Sequence, residues 1–199
     1  EEHVDANTVE ADIVSLRIVE LLAEDHFLLS PSTLLGIHRH LFTDVFSEEI
    51  PVGKFRKVNI TKKEPVLDGD TVQYSSHFMI QDALAYDFER EQNFSYASLT
   101  NEQKTLHAMT FLADIWQVHP FREGNTRTVA VFGIQYLRKL GFHIDNSLFS
   151  EHAAYFRNAL VLYHYQGEKQ DKQFLKMFFE NLLMGKKNIL SDEEMYAKK

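Results

Sequence analysis

The 199-residue sequence contains no cysteine, which removes disulfides, thiolate metal sites and cysteine nucleophiles together and suits a reducing, cytoplasmic setting. No apolar run reaches membrane-spanning length and no signal-peptide pattern occurs, so no membrane partner is expected. An excess of positive charge is missing too. Lys and Arg number 21 against 29 Asp and Glu, and the formal charge of −8 argues against nucleic acid as a partner. There is no internal repeat and no low-complexity linker. The remaining composition, 44% hydrophobic and 25% charged, fits one globular domain with enough chain to bury a core. The chain starts at Glu1 rather than Met, which leaves room for an upstream segment.

The densest chemistry lies in residues 119–127, His-Pro-Phe-Arg-Glu-Gly-Asn-Thr-Arg. Thr100 and Gln103 have capping-box spacing for a helix carrying Leu106, Met109, Phe111, Ala113 and Trp116. Pro120 disfavours helical angles at His119, so that helix should end near the histidine. Gly124 permits angles that a side chain forbids, and Asn125 is a favourable N-cap for a second helix through Val129, Val131, Phe132, Ile134 and Leu137. Gly141 is placed to close it. A glycine turn entering a helix aims free N–H groups and a partial positive charge at one point, which suits a polyphosphate. Arg127 can fork onto phosphate oxygens. Glu123, so close to phosphate, calls for a bridging divalent ion such as Mg2+. His119, neutral near physiological pH, can take a proton from an attacking hydroxyl. Any one of these residues is more simply a surface feature of a capped helix–turn–helix; the whole constellation reads as catalysis on a nucleotide.

The rest of the chain reads as mostly helical. Val9, Ile13, Leu16, Val19 and Leu22 mark a first amphipathic helix, and Ser30-Pro31 starts a second that runs through Phe42. Val58, Ile60, Val66 and Val72 flank the turn-rich Asp68-Gly69-Asp70 and predict a short hairpin. Helix returns over residues 76–92, and a loop follows at 93–99. The tail from Lys186 is expected to be frayed or peripheral. His38 and His40, two apart, cannot share a helix face, and with His26, His77, His107 and His143 they are read as structural. Trp116 is read as core.

Residues 119–127 resemble the signature of the Fic (Fido) family, His-Pro-Phe-x-Asp/Glu-Gly-Asn-x-Arg, at His119, Pro120, Phe121, Glu123, Gly124, Asn125 and Arg127. Further similarity runs through Ile37–Phe42, Gly53–Ile60, Tyr155–Leu160 and Phe178–Leu183. The resemblance implies an all-α, Fic-type helical bundle with a small β-hairpin flap. It divides the chain into an N-terminal helical extension (1–29), a Fic domain (30–185) and a C-terminal tail (186–199). It also implies transfer of AMP from ATP to a Ser, Thr or Tyr hydroxyl of a target protein, with magnesium and pyrophosphate release.

Carried onto this sequence, His119 becomes the base and Glu123 the metal ligand. Gly124, Asn125 and Thr126 become the anion nest, and Arg127 the phosphate clamp. Tyr155 and His164 become neighbours of the adenine. Asp68, Gly69, Asp70 and Thr71 lie at the tip of the flap that pins the target. Two positions depart from the common pattern: Thr126 stands where many members have Gly, and Ala130 where many carry a second arginine. Many members are restrained by a helix of pattern Ser/Thr-x-x-x-Glu-Gly/Asn, and no complete copy occurs here. An inhibitory partner, an upstream inhibitory segment or a different control is therefore expected. Two alternatives accompany the main reading: transfer of another nucleotide or phosphate-linked group, and a catalytically weak nucleotide- or peptide-binding module.

Overall fold

The computed structural model describes residues 6–197, so residues 1–5 of the expected N-terminal extension and 198–199 of the tail lie outside the described residues. The helices run α1 Ala6–Leu22, α2 Pro31–Phe42, α3 Ile80–Gln92, α4 Asn101–Val118, α5 Asn125–Lys139, α6 Ser147–Glu151, α7 Ala153–His164, α8 Gln173–Met184 and α9 Asp192–Ala197. Among the described residues there is no strand, and no helix is long and apolar enough to cross a membrane.

Local chemistry accounts for most boundaries. The Ser30 hydroxyl accepts the Ser32 N–H at 3.3 Å and Pro31 opens α2. Thr100 and Gln103 form the full reciprocal capping box of α4. Beyond α5, Gly141 takes φ +100 and Phe142 donates back to the Leu137 carbonyl at 3.0 Å, a six-to-one closure. Arg138, in the last turn of α5, bonds the Ile144 and Leu22 carbonyls at 2.8 Å each, so it ties two loops together.

Helix α4 is the axis of the molecule. It packs against α3, α5, α7 and α8, while α1 and α2 cover the other side of α5. Trp116, Phe111, Phe132 and Phe88 are buried at these seams. Fully burying one such side chain stabilises by roughly 1.5–3 kcal/mol. Glu91 of α3 is buried with both oxygens bonded: Tyr96 and Tyr136 donate to one, and His107 meets the other at 2.8 Å. That cluster locks α3, α4 and α5 together, and losing one partner would leave a buried polar group short of a bond.

The segment expected to form a hairpin does not form strands. Pro65, which has no N–H to give a ladder, starts a 3-10 turn Pro65–Leu67, and Asp68 and Gly69 follow with φ +56 and +90. One backbone bond spans the limbs at the turn, from Glu64 N–H to Asp70 O at 2.9 Å. Side chains do the rest. Val66 and Leu67 are buried, the Asn59 carboxamide accepts the His77 N–H at 2.8 Å, and Gln117 reaches the Gln73 carbonyl. The segment is therefore a loop anchored by Val66 and Leu67 rather than a hairpin. The tail also differs from expectation: Asn188 and Asn181 exchange bonds of 2.8 Å, and Met195 of α9 is fully buried against the bundle.

Candidate active site

Helix α4 stops where Pro120 requires it. His119 adopts φ +51, ψ +61, a left-handed conformation uncommon outside glycine, asparagine and aspartate. The carbonyls at that helix end are bonded by the Arg56 guanidinium, which donates to His119 O at 2.7 Å and Val118 O at 3.2 Å. The Arg56 N–H meets Pro120 O at 2.9 Å. Arg56 is itself buried, and its positive charge complements the negative end of α4. Its desolvation lowers its pKa.

The His119 ring is 2% exposed. Its Nδ1 lies 2.9 Å from Trp116 O, so Nδ1 carries the proton and donates to that carbonyl, leaving Nε2 as a lone pair. Nε2 is buried and has no partner among the described residues. The Tyr74 ring stacks on the imidazole with centroids 3.9 Å apart, and the Trp116 ring meets it edge-on at 4.9 Å. Burial, then the charges of Lys62, Arg157 and Arg56, push the pKa well below its ordinary 6.5. A neutral histidine with an unshared nitrogen can accept a proton.

The loop after His119 is held by Asn125. Its carboxamide oxygen accepts the Phe121 N–H at 2.9 Å and its nitrogen donates to Phe121 O at 2.8 Å. The N-cap position belongs to Gly124, at φ +81, and Asn125 is the first helical residue. The expected capping role of Asn125 is thus replaced by a clasp across the turn. A Cβ on Gly124 would lie 2.4 Å from the Phe42 ring, so the position is closed to side chains for two reasons. The Thr128 N–H bonds Gly124 O, but the N–H groups of Gly124, Asn125, Thr126 and Arg127 have no carbonyl partner among the described residues. They form the open positive end of α5. Thr126 spends its hydroxyl on the Trp116 indole N–H, at 2.9 Å.

His38 is structural, as expected, but it supports the site directly. Its Nδ1 accepts the Gly53 N–H at 2.9 Å, which makes Nε2 the donor to Glu123 O at 2.8 Å. Its ring stacks on Phe121 at 3.9 Å. Burial brings its pKa down to about 4, keeping this tautomer neutral.

Three ion pairs involve residues of this turn and its neighbours. Glu123 is half-exposed and ion-paired to Lys62 at 3.3 Å. Arg127 lies over the Phe42 ring at 4.6 Å, and α1 brings Glu10 to 3.8 Å from it. Arg157 of α7 holds the buried Glu64 of the flap in a two-point bond of 2.5 and 2.8 Å. Each of the three cations is paired with a carboxylate in this structure.

Other expected residues fall elsewhere. Tyr155 is buried between Phe174 and Phe178, with its hydroxyl on Phe174 O at 2.8 Å. His164 bonds Ala113 O at 2.7 Å and is held neutral by burial, its pKa down to about 4. The polar atoms of both side chains are bonded within the bundle. Asp68 and Asp70 at the flap tip are engaged by Lys169 at 2.5 Å and Tyr165 at 2.6 Å, with Gly69 and Thr71 beside them. Lys62, Glu64, Arg56 and Glu10 had no assigned role in the linear reading. The sequence Thr61-Lys62-Lys63-Glu64 is polar throughout and carries no alternation; the structure alone shows Lys62 and Glu64 less exposed than Thr61 and Lys63.

Residues 28–137 match the Fic/DOC family. The protein adenylyltransferase VbhT of Bartonella schoenbuchensis is 31% identical over 112 residues, 55% of this chain and 21% of that protein. The probable protein adenylyltransferase y4lH of Sinorhizobium fredii is 31% identical over 122 residues, 56% of this chain and 54% of its own length. These matches therefore span about a fifth and about half of the relatives concerned. The fold is shared with the BepC effector of Bartonella tribocorum, solved with bound AMPPNP, at a TM-score of 0.68 and 18% identity over 89% of this chain and 85% of that one.

Proposed function

This chain belongs to the Fic/DOC family, and from that premise we propose that it transfers AMP from ATP to a hydroxyl of a target protein. The observation that carries the reading is the buried, neutral His119 with its unpartnered Nε2, set beside the open amides of α5 and Arg127. Phosphates lie on the amides of residues 124–127 and on Arg127. The target hydroxyl is brought to Nε2, the ring nitrogen without a partner among the described residues. Because that atom is buried in this structure, its neighbours must shift to admit the target. The hydroxyl oxygen forms a bond to the α-phosphorus, its proton goes to Nε2, and the bond to the β-phosphate oxygen breaks with the electron pair leaving on pyrophosphate. Positioning and charge neutralisation supply the acceleration, as in other phosphoryl-type transfers.

The donor set fits magnesium. Glu123 is a half-exposed hard-oxygen ligand, and no group of three or more ligating side chains gathers among the described residues. Phosphate oxygens and water would therefore complete the shell, which magnesium accepts. When bound, the ion neutralises charge on the phosphates next to Glu123.

The flap limbs at residues 59–61 and 70–76 border a groove of about 500 Å³ that runs to Tyr74, and their paired edges are mostly unformed. An extended target segment adds there by backbone bonding, with Asp68, Gly69, Asp70 and Thr71 at its rim. Helix α1 restrains the enzyme, because Glu10 occupies Arg127 and competes with phosphate for it. A second reading, use of another nucleotide, is favoured by the bonding of Tyr155 and His164 within the bundle, which occupies polar atoms that would read adenine. Incubation with labelled ATP, GTP, UTP and CTP and a cell lysate tests both. Label from ATP on protein supports the first, label only from another nucleotide supports the second, and no label from any overturns both.

A further inference from the structure

Lys62 is the cation nearest the motif carboxylate. The extended chain turns Lys62 and Glu64 to the same inward side, and Glu64 is anchored by two bonds to Arg157. The backbone two residues away is therefore fixed, and the Lys62 ammonium is held 3.3 Å from Glu123 and one-quarter exposed. Among the charges acting on His119, Lys62 comes ahead of Arg157 and Arg56. A lysine there is not needed for the fold. A partly exposed pair of this kind contributes only about 0–1 kcal/mol.

We infer that Lys62 is a further binding residue for the nucleotide phosphates, holding Glu123 while the site is empty and moving onto phosphate oxygens when nucleotide and metal arrive. The inference rests on the nucleotide-transfer reading above. Its physical basis is a change of neighbours. A divalent ion on Glu123 takes away the lysine's partner and repels its charge. The nearest remaining anions are then the phosphates on the α5 amides, within the sweep of a flexible four-carbon stem. Lys62 thus supplies, from the flap, a second cation to partner Arg127, at a site where Ala130 supplies none.

A loss of ATP affinity in Lys62→Met alone would be ambiguous, because it also bares Glu123. A double-mutant cycle with Glu123→Gln in the full chain removes that ambiguity. ATP binding is measured by calorimetry in EDTA for the parent, Glu123→Gln, Lys62→Met and the double variant, with the parent also measured in magnesium. In the Glu123→Gln background there is no carboxylate left to mask, and Lys62→Met is expected to weaken ATP by about tenfold, the size of a lost charge-assisted hydrogen bond. Lys62→Arg in the same background is expected to recover most of that loss, and melting curves confirm that each variant is folded. Equal ATP affinity for Glu123→Gln and the double variant would overturn the assignment and leave Lys62 as a mask on the carboxylate. If the parent binds no ATP with or without magnesium, the nucleotide reading falls and this inference falls with it. Binding by the parent with no loss in the cycle removes Lys62 alone.

Discussion

Adding one methyl group at Gly124 tests the geometry of the turn more sharply than removing any functional side chain. Ala at φ +81 carries a left-handed backbone penalty of roughly 1–2 kcal/mol. Its Cβ would also lie 2.4 Å from the Phe42 ring, and that ring is fully buried and cannot swing away. Overpacking of this kind costs about 1–3 kcal/mol. Together these give a destabilisation of roughly 2–5 kcal/mol for Gly124→Ala. Gly69→Ala is the matched control, since Gly69 has φ +90 but nothing within 4 Å of the added Cβ. It should show the backbone penalty alone. Urea unfolding of the parent and both variants reads the difference, provided the slopes agree. Because Phe42 also underlies Arg127, Gly124→Ala should weaken ATP binding while Gly69→Ala should not. Equal destabilisation of the two variants would refute the claimed closeness of Gly124 to Phe42.

Three further outcomes follow from the charges. His38 and His164 have folded pKa values lowered to about 4 from 6.5, so below pH 6.5 the unfolded chain takes up protons that the native state refuses. Stability should therefore fall as pH drops from 6.5 towards 4, by about 3 kcal/mol per histidine at the lower end, and His164→Gln should flatten part of that slope in pH-dependent urea titrations. Glu10→Ala frees Arg127 and should tighten ATP by a few-fold, roughly what 0.5–1 kcal/mol provides for a partly exposed pair; unchanged affinity in calorimetry would remove the restraint assigned to α1. Glu123→Ala should abolish most of the magnesium dependence of ATP binding, whereas a carboxylate that only favours the α5 N-terminus would leave that dependence intact and lower the melting temperature slightly.

Features governed by neighbouring residues were legible in the sequence. The capping box at Thr100, the stop at Pro120, the Pro31 start of α2 and the closure at Gly141 all depend on residues within six positions of one another, and each appears as expected. The motif was legible as a turn between two helices for the same reason. Asn125 shows the limit. Its composition suits a cap, but a turn of this length lets its carboxamide reach Phe121, and two bonds there outweigh one cap bond. The flap was misread because alternating apolar residues suit a strand, whereas Pro65 and the burial of Val66 and Leu67 make a turn that needs no ladder. The bonds of Tyr155 to Phe174 O and of His164 to Ala113 O depend on how α7 packs on its neighbours, which local sequence does not show. Lys62–Glu123 and Glu10–Arg127 join positions 61 and 117 residues apart, and only the folded chain pairs them.

The central claim is that His119 acts on the attacking hydroxyl and not on the phosphates. It is tested most directly by measuring label transfer from α-labelled ATP to protein and ATP affinity side by side, for the parent and His119→Ala. The buried Nε2 has no bond to lose, and its removal touches no phosphate contact. The account predicts loss of transfer by at least about 100-fold, the usual share of a general base, with ATP affinity changed little. Transfer at the parent rate by the His119→Ala enzyme would contradict it.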